Sequence, residues 1–471
     1  MKKILNNKYR NILIGLSIAA LALALLPSML KSDPFVKVRE AFGEAKASQP
    51  HKPVRISEGS KPLPKKSGRY WVTIRIKETD SIRAREIRTR IANAGVAIAV
   101  VDLEKQVVEG TADDAALERL RKMNLSITII STVSVEQLSK YFPLDFPRED
   151  APYHNYYETK NAMSKIASDS QYSKFVSMFS IGRSVKGNKE IHALRFNTSA
   201  RNNAASDKPG IVFMANHHAR EHLSTEIPIM LAKYMALNSN KSDIKKFIDT
   251  RDIYFIFIVN PDGKAYDIET GDYRWWRKNR RRNHDGSYGV DLNRNYGGPN
   301  WGGKGASRSP SSETYAGASP FSEPETQAIR DFVLAHPNIN ILLSYHSFSQ
   351  LILYPWGHTY SPIADSNDLQ AYRSMAKVLA GHTGYTPQQS SDLYIASGDT
   401  TDWAYAKSKE LQSSGLREMP LFAFTFELEP KSRWDGAFYP GPRMIETSFS
   451  RNLPAALYLI EIADNPYQGK S

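Results

Sequence analysis

Cysteine is absent from all 471 residues. Disulfide scaffolds and thiolate metal sites are therefore excluded, and any transition-metal site has to be built from His, Asp or Glu. A lipid anchor on an N-terminal cysteine is excluded for the same reason. Internal repeats and low-complexity tracts are also missing. At 41% hydrophobic and 24% charged residues the chain has neither a disordered nor a membrane composition. Long apolar runs are scarce. The one from Ile12 to Leu26 is closed by Pro27 and preceded by Lys2, Lys3, Lys8 and Arg10. This is the pattern of an export signal. No clean small-x-small cleavage site follows, so residues 1–30 read as a signal peptide or an uncleaved signal anchor. The only expected tie to a membrane is that segment.

The formal charge of +13 is not spread like a nucleic-acid footprint. Four cations lie in the first ten residues and six in "RWWRKNRRRN" (274–283), most of which read as a solvated basic face. No nucleic-acid partner is expected. A basic surface suits an envelope or an acidic substrate equally well.

Residues 31–68 read as a linker rich in Lys and Pro. Within 69–135, "RYWVTIRI" and "VAIAVVDL" alternate like strands. "DSIRAREIRTRIANAG" and "DDAALERLRKMN" have helical spacing, and "SITIIS" closes the unit. It carries no cluster of catalytic residue types. A proline-rich connector spans 136–152. Beyond it, "GIVFMAN", "IYFIFIVN", "INILLSYHS" and "LFAFTFEL" are near-continuous apolar runs alternating with helical patterns. Such runs predict an α/β fold, a mixed central sheet with helices on both faces, preceded by the small α/β unit. Each run has residues capable of catalysis at or just past its C-terminal end, where open α/β sheets form their sites.

The stretch "MANHHAREHLSTE" (214–226) admits two metal readings. Either His218 and His222 are both ligands with Glu221 between them as base, as in H-x-x-E-H enzymes, or His218 and Glu221 are ligands and the third lies elsewhere. Paired histidines four apart need a helix, whereas here a strand runs straight into His217 and helix formers begin near Ser224. The second reading is favoured, and His346 in "SYHSFSQ" is available.

Eight ordered motifs support it: "HHAREH", "NPDG", "WWRKNRR", "GVDLNRNY", "SPSSETYAG", "YHSFSQLILYPWG", "YIASGDTTDWAY" and "FTFEL". With them, residues 153–465 resemble the zinc metallocarboxypeptidases of the carboxypeptidase A/B type, most of all the bacterial carboxypeptidase T branch. The resemblance implies one Zn2+ per chain on His218, Glu221 and His346, with Asp291 orienting the first histidine. It implies Glu427 as general base and Arg277 as oxyanion stabiliser. Asn293, Arg294 and Tyr394 would hold the terminal carboxylate of a peptide or protein C-terminus. Asp399 and Thr401 would face the terminal side chain, near Leu353, Gly357 and Thr425, which implies mixed specificity. Glu429 reads as a solvated loop residue. Phe348, where many relatives carry tyrosine, is left outside the site.

The expected function is an exported zinc carboxypeptidase preceded by a pro-region-like unit with a folding or inhibitory role. A cell-wall peptide-processing enzyme of the same fold and a non-catalytic peptide-binding protein are the alternatives. "LKSDP" and "FPRED" are possible processing points. Terminal-residue preference, structural calcium and oligomeric state are not readable.

Overall fold

The structure is a computed structural model that describes residues 54–56, 69–133 apart from 79, 104 and 124, 146–147 and 150–470. The export-signal segment, most of the linker and "LKSDP" lie outside the described residues. No helix among the described residues is long and apolar enough to cross a membrane.

The first sheet has five strands: β1 (Val54–Ile56), β2 (Arg69–Arg75), β3 (Ala97–Asp102), β4 (Val107–Asp113) and β5 (Ser126–Val133). Their order is β1-β5-β2-β4-β3, antiparallel throughout. Helices α1 (Ser81–Asn93) and α2 (Asp114–Arg121) pack on it. Asp80 and Asp113 cap their first turns by accepting backbone N–H groups. Two elements differ from the expectation. Strand β1 lies within the predicted linker. Strand β4 was not predicted because Gly110 and Glu109 interrupt its apolar pattern. A Cβ at Gly110 would lie 2.4 Å from the Ala97 carbonyl, so the glycine lets β3 come close.

The second sheet has eight strands: β6 (Val176–Arg183), β7 (Glu190–Phe196), β8 (Gly210–Ala215), β9 (Asp252–Ile256), β10 (Ile339–Ser347), β11 (Leu351–Tyr354), β12 (Thr386–Gln389) and β13 (Phe422–Leu428). The order is β12-β11-β13-β10-β8-β9-β7-β6. The central β13, β10, β8 and β9 run parallel, as their unbroken apolar composition requires once both faces are covered. The helices that accompany this sheet are α3 (Tyr156–Ser168), α4 (Leu223–Leu237), α5 (Ser242–Thr250), α6 (Pro261–Asp267), α7 (Pro324–Ala335), α8 (Ser366–Thr383), α9 (Ser390–Leu393), α10 (Thr400–Ser413) and α11 (Arg443–Glu461). One layer of core gathers around Phe213, Tyr345 and Phe426, the other around Val212, Leu342 and Ala423. Alternate residues of one strand thus fill opposite faces.

Phe146, in the connector, is buried in this second core beside Tyr153 and His222. Asp150 is buried too and accepts from the Tyr273 hydroxyl at 2.5 Å. The C-terminal end of the connector therefore packs as part of the larger sheet's own core.

Candidate metal centre and the cavity around it

The parallel strands deliver the site at one edge. Asn216, which directly follows β8, takes a left-handed conformation (φ 58°), one that asparagine tolerates better than most residues. Its side-chain amide donates to the carbonyls of His218 (3.0 Å), Ala219 (3.3 Å) and Glu221 (3.4 Å). This holds the tight turn before α4 begins at Leu223. One strand over, β10 places His346 in register with Glu427 of β13.

Within this turn the second metal reading is the one the atoms support. His218 Nδ1 lies 2.8 Å from Glu221 Oε1 and 3.1 Å from His346 Nδ1. His346 Nδ1 is 2.9 Å from Glu221 Oε2. All three residues are buried. Asp291 Oδ1 lies 3.1 Å from the other His218 nitrogen, Nε2. A hydrogen on Nε2 suits that contact and leaves Nδ1 as a lone pair facing a carboxylate. Acceptors converging in a buried space need a cation between them, and the His/Glu/His donor set suits zinc. Burial alone would raise the Glu221 pKa, but His218 and His346 outweigh it and hold the carboxyl below the ordinary range.

His222 is excluded as a ligand. Its Nε2 is 2.8 Å from Asp267 Oδ2, and its Nδ1 is 3.1 Å from Lys264 Nζ. Both ring nitrogens are thus occupied. Burial and the Lys264 charge push its pKa down to about 4. His217 is likewise structural. It contacts Tyr296 (2.9 Å) and Thr400 (3.1 Å) through Nε2, and it stacks on His346.

Asp291 also anchors Arg277, whose Nε and Nη2 donate to Oδ2 at 2.9 and 2.8 Å. Nη1 is left 3.3 Å from His218 Nδ1 and 4.0 Å from Glu221. Asp291 well below the usual carboxylate range reflects the Arg277 and His218 charges winning over burial. Glu427 goes the other way. Burial and then the Glu221 charge push it up to about 8, against the pull of His218, Arg277 and Arg294.

The carboxylate-recognition candidates share one wall. Arg294 donates to the Gly305 carbonyl (2.9 Å), and its Nη2 is 3.4 Å from the Tyr394 hydroxyl. Asn293 Oδ1 accepts from Thr400 N–H (3.0 Å) and Oγ1 (2.9 Å). Gly398 (φ 78°) is required next to this wall, because a Cβ there would lie 2.4 Å from the Arg294 carbonyl. Asp399 Oδ1 caps α10 by accepting from Thr401 and Asp402 N–H, and it also takes the Thr401 hydroxyl. Asp399 Oδ2 is buried with no hydrogen-bond partner. Burial and the neighbouring Asp402 charge push Asp399 up to about 7.

One cavity unites His218, Glu221, Arg277, Asn293, Arg294, Tyr394, Asp399, Thr401 and Glu427, with Leu353 and Thr425 in its wall. His346 and Asp291 stand behind it. Sequence reasoning missed several lining residues. Phe348, expected outside the site, lines the cavity and packs edge-on against Phe438 at 5.0 Å. Ile98 and Ala99 of β3 also line it, and nothing in their own sequence carries that signal. Two further expectations are corrected. Glu429 is not solvated: only 2% exposed, it accepts from Tyr385 (2.5 Å) and Ser448 and pairs with Arg451 (2.9 Å). Nor is the 274–283 stretch a solvated basic face. Arg277 and Lys278 are buried, Arg281 pairs with Glu323, and the Arg280 guanidinium lies over Tyr266, Trp276 and Tyr288. Within the stretch only Arg282 is exposed among the cations.

Fold and site together define a metallopeptidase of α/β architecture. The sequence profile of the zinc carboxypeptidase family matches residues 161–455. A zinc carboxypeptidase of Saccharothrix mutabilis subsp. capreolus is 33% identical over 408 residues, covering 80% of this chain and 87% of that protein. Carboxypeptidase A1 of Rattus norvegicus is 33% identical over 67% of this chain and 72% of its own length. The solved carboxypeptidase A of Helicoverpa armigera superposes with a TM-score of 0.65 at 22% identity, over 86% of this chain and 98% of that one. The chain belongs to the zinc carboxypeptidase family. It is a zinc-dependent peptide hydrolase, and the His218–Glu221–His346 cluster fits the single zinc of that family.

Proposed function

We propose that this is an exported carboxypeptidase that removes C-terminal residues from peptides and is held latent by the unit built on β1–β5. The observation that carries the reading is the shared cavity. It sets converged metal-ligand atoms, a half-buried Glu427 and an arginine–asparagine–tyrosine wall around one cavity. Zinc held by His218, Glu221 and His346 would supply a Lewis acid that polarises the scissile carbonyl and eases the ionisation of water.

The chain's own residues do the rest. Arg294 grips the terminal carboxylate through its planar fork, with the Asn293 amide and the Tyr394 hydroxyl alongside. Glu427 takes the proton from the attacking water and returns it to the leaving amine, a role supported by its place in the same cavity as His218 and Glu221. Arg277, locked by Asp291, stabilises the charge developing on the carbonyl oxygen. Asp399 and Thr401 face the departing residue's side chain and accept cationic as well as neutral side chains. Ile98 and Ala99 of β3 line the same cavity, and about 70 Å³ of space remains, enough for a few waters. That packing is the support for latency. The cation-then-apolar pattern before Pro27 is the support for export.

The test uses paired peptides, one with a free and one with an amidated C-terminus, followed by mass spectrometry after proteolytic activation. The free peptide alone should shorten stepwise, and both a chelator and Glu427→Gln should stop it. Internal cleavage, or equal attack on the amidated peptide, rejects the exopeptidase reading. Activity confined to cell-wall peptides would replace it with the murein-type substrate.

A further inference from the structure

Directly behind the ligand turn lies a buried polar cluster that the proposed reaction does not use. Its hub is Asp267, the last residue of α6, which is fully buried. Asp267 Oδ1 accepts the Trp276 backbone N–H at 2.6 Å, and Oδ2 accepts from His222 Nε2 at 2.8 Å. The Tyr439 hydroxyl donates to both oxygens, at 3.3 and 3.0 Å. On the far side of the imidazole, buried Lys264 Nζ is 3.1 Å from His222 Nδ1 and 3.3 Å from Thr225 Oγ1. Among these groups an ammonium can only donate, so Nδ1 accepts and Nε2 carries the ring hydrogen toward Asp267.

The three donors come from three segments that build the site. His222 directly follows Glu221, Trp276 directly precedes Arg277, and Tyr439 directly follows the cavity-lining Phe438. We propose that Asp267 is a positioning residue for metal binding, setting the Glu221 turn against the Arg277 segment before the cation arrives. This rests on the reading of His218, Glu221 and His346 as the ligands. The carboxylate is required because every partner donates. An amide has one acceptor oxygen, so in Asp267→Asn its N–H groups would meet either Trp276 N–H or His222 Nε2–H. Lys264 at Nδ1 prevents the ring from moving its hydrogen to relieve that clash.

The experiment measures the zinc affinity of the full-length chain by competition with a chromophoric chelator. Wild type, His346→Ala, Asp267→Asn, Lys264→Met and the Asp267→Asn/Lys264→Met double variant are compared. Wild type should bind one equivalent tightly and His346→Ala should lose it. Asp267→Asn should bind roughly tenfold more weakly, in the range typical of groups that orient metal ligands. In the double variant the freed ring can carry its hydrogen on Nδ1 and accept from the new amide, so affinity should recover part of the loss. A purely structural role would lower thermal stability with and without metal and leave the affinity unchanged. Wild-type affinity in Asp267→Asn, or a double variant as weak as the product of the two single losses, overturns the proposal while leaving the ligand set intact. Absence of tight zinc in wild type, or its persistence in His346→Ala, overturns the ligand set and the proposal together. If Asp267→Asn does not fold, Tyr439→Phe removes one donor with no charge change. It should weaken zinc binding severalfold, and an unchanged affinity again overturns the proposal.

Discussion

Asp399 shows how much a single side chain's surroundings decide. One oxygen is saturated by the α10 N-terminus and the Thr401 hydroxyl, while the other is buried without a partner. Asp402 adds a second negative charge close by, itself held by the N–H groups of Gly357 and His358 and by His358 Nδ1 at 2.6 Å. Burial, then Asp402, raise Asp399 to about 7, so it is neutral below that pH and charged above it. The ratio of kcat/KM for C-terminal Arg over C-terminal Leu should therefore rise with pH through about 7. A charge-assisted bond of about 1.5–3 kcal/mol corresponds to a rise of roughly tenfold or more. Asp399→Asn should flatten the profile, and an unchanged ratio across pH 6–8 would remove Asp399 from the pocket's specificity. The identity of this residue was legible from the order of motifs around it. Its orphan oxygen was not, because that depends on which groups the fold brings near.

Among the elements, α1 contacts the segment that carries Tyr394. Arg88 donates from Nε to the Leu393 carbonyl (2.8 Å) and from Nη2 to that of Asp392 (3.1 Å). Arg85 pairs with the Asp392 side chain (2.8 Å), and Thr89 Oγ1 accepts from Ile395 N–H (3.2 Å). These bonds bracket Tyr394, which also packs against the small unit's core. Helix α1 thereby fixes the backbone that carries a proposed substrate-binding residue. Arg88→Ala in the intact chain should raise the slow basal rate on a C-terminal peptide severalfold, since two charged-donor bonds are lost. Its rate after proteolytic activation should match wild type. An intact-chain rate that does not change would remove Arg88 from the proposed latency. The helical period of 81–93 was readable in advance. Its docking on residues more than three hundred positions away was not, because no local pattern encodes a partner at that separation.

For the molecule as a whole, a metal held by His218, Glu221 and His346 would tie the turn after β8 to the end of β10 at one point. The Nδ1 atoms of His218 and His346 and the Glu221 carboxylate already face one another in a buried space. Zinc at a thousandfold excess over its Kd would stabilise the native state by about 4 kcal/mol. Chelation should then lower Tm by several degrees, given roughly 2–4 °C per kcal/mol for domains of this order of size. His346→Ala should lower Tm on its own and respond little to the chelator. A wild-type Tm insensitive to metal removal would contradict a tight site.

The sequence by itself determined the class of fold, the four central strands and the residues that face one another at the metal. Short apolar runs rich in β-branched and aromatic residues predict strands covered on both sides, and motif order survives any detail of packing. Tertiary structure alone decided that both His222 nitrogens are engaged by Asp267 and Lys264, that Phe348 belongs to the cavity wall, that Glu429 is buried and that among the 274–283 cations only Arg282 is exposed. It also decided that Ile98 and Ala99 line the cavity. Each of these depends on hydrogen-bond partners and burial supplied by distant segments, and a side chain's charge, tautomer and exposure are properties of that assembled environment.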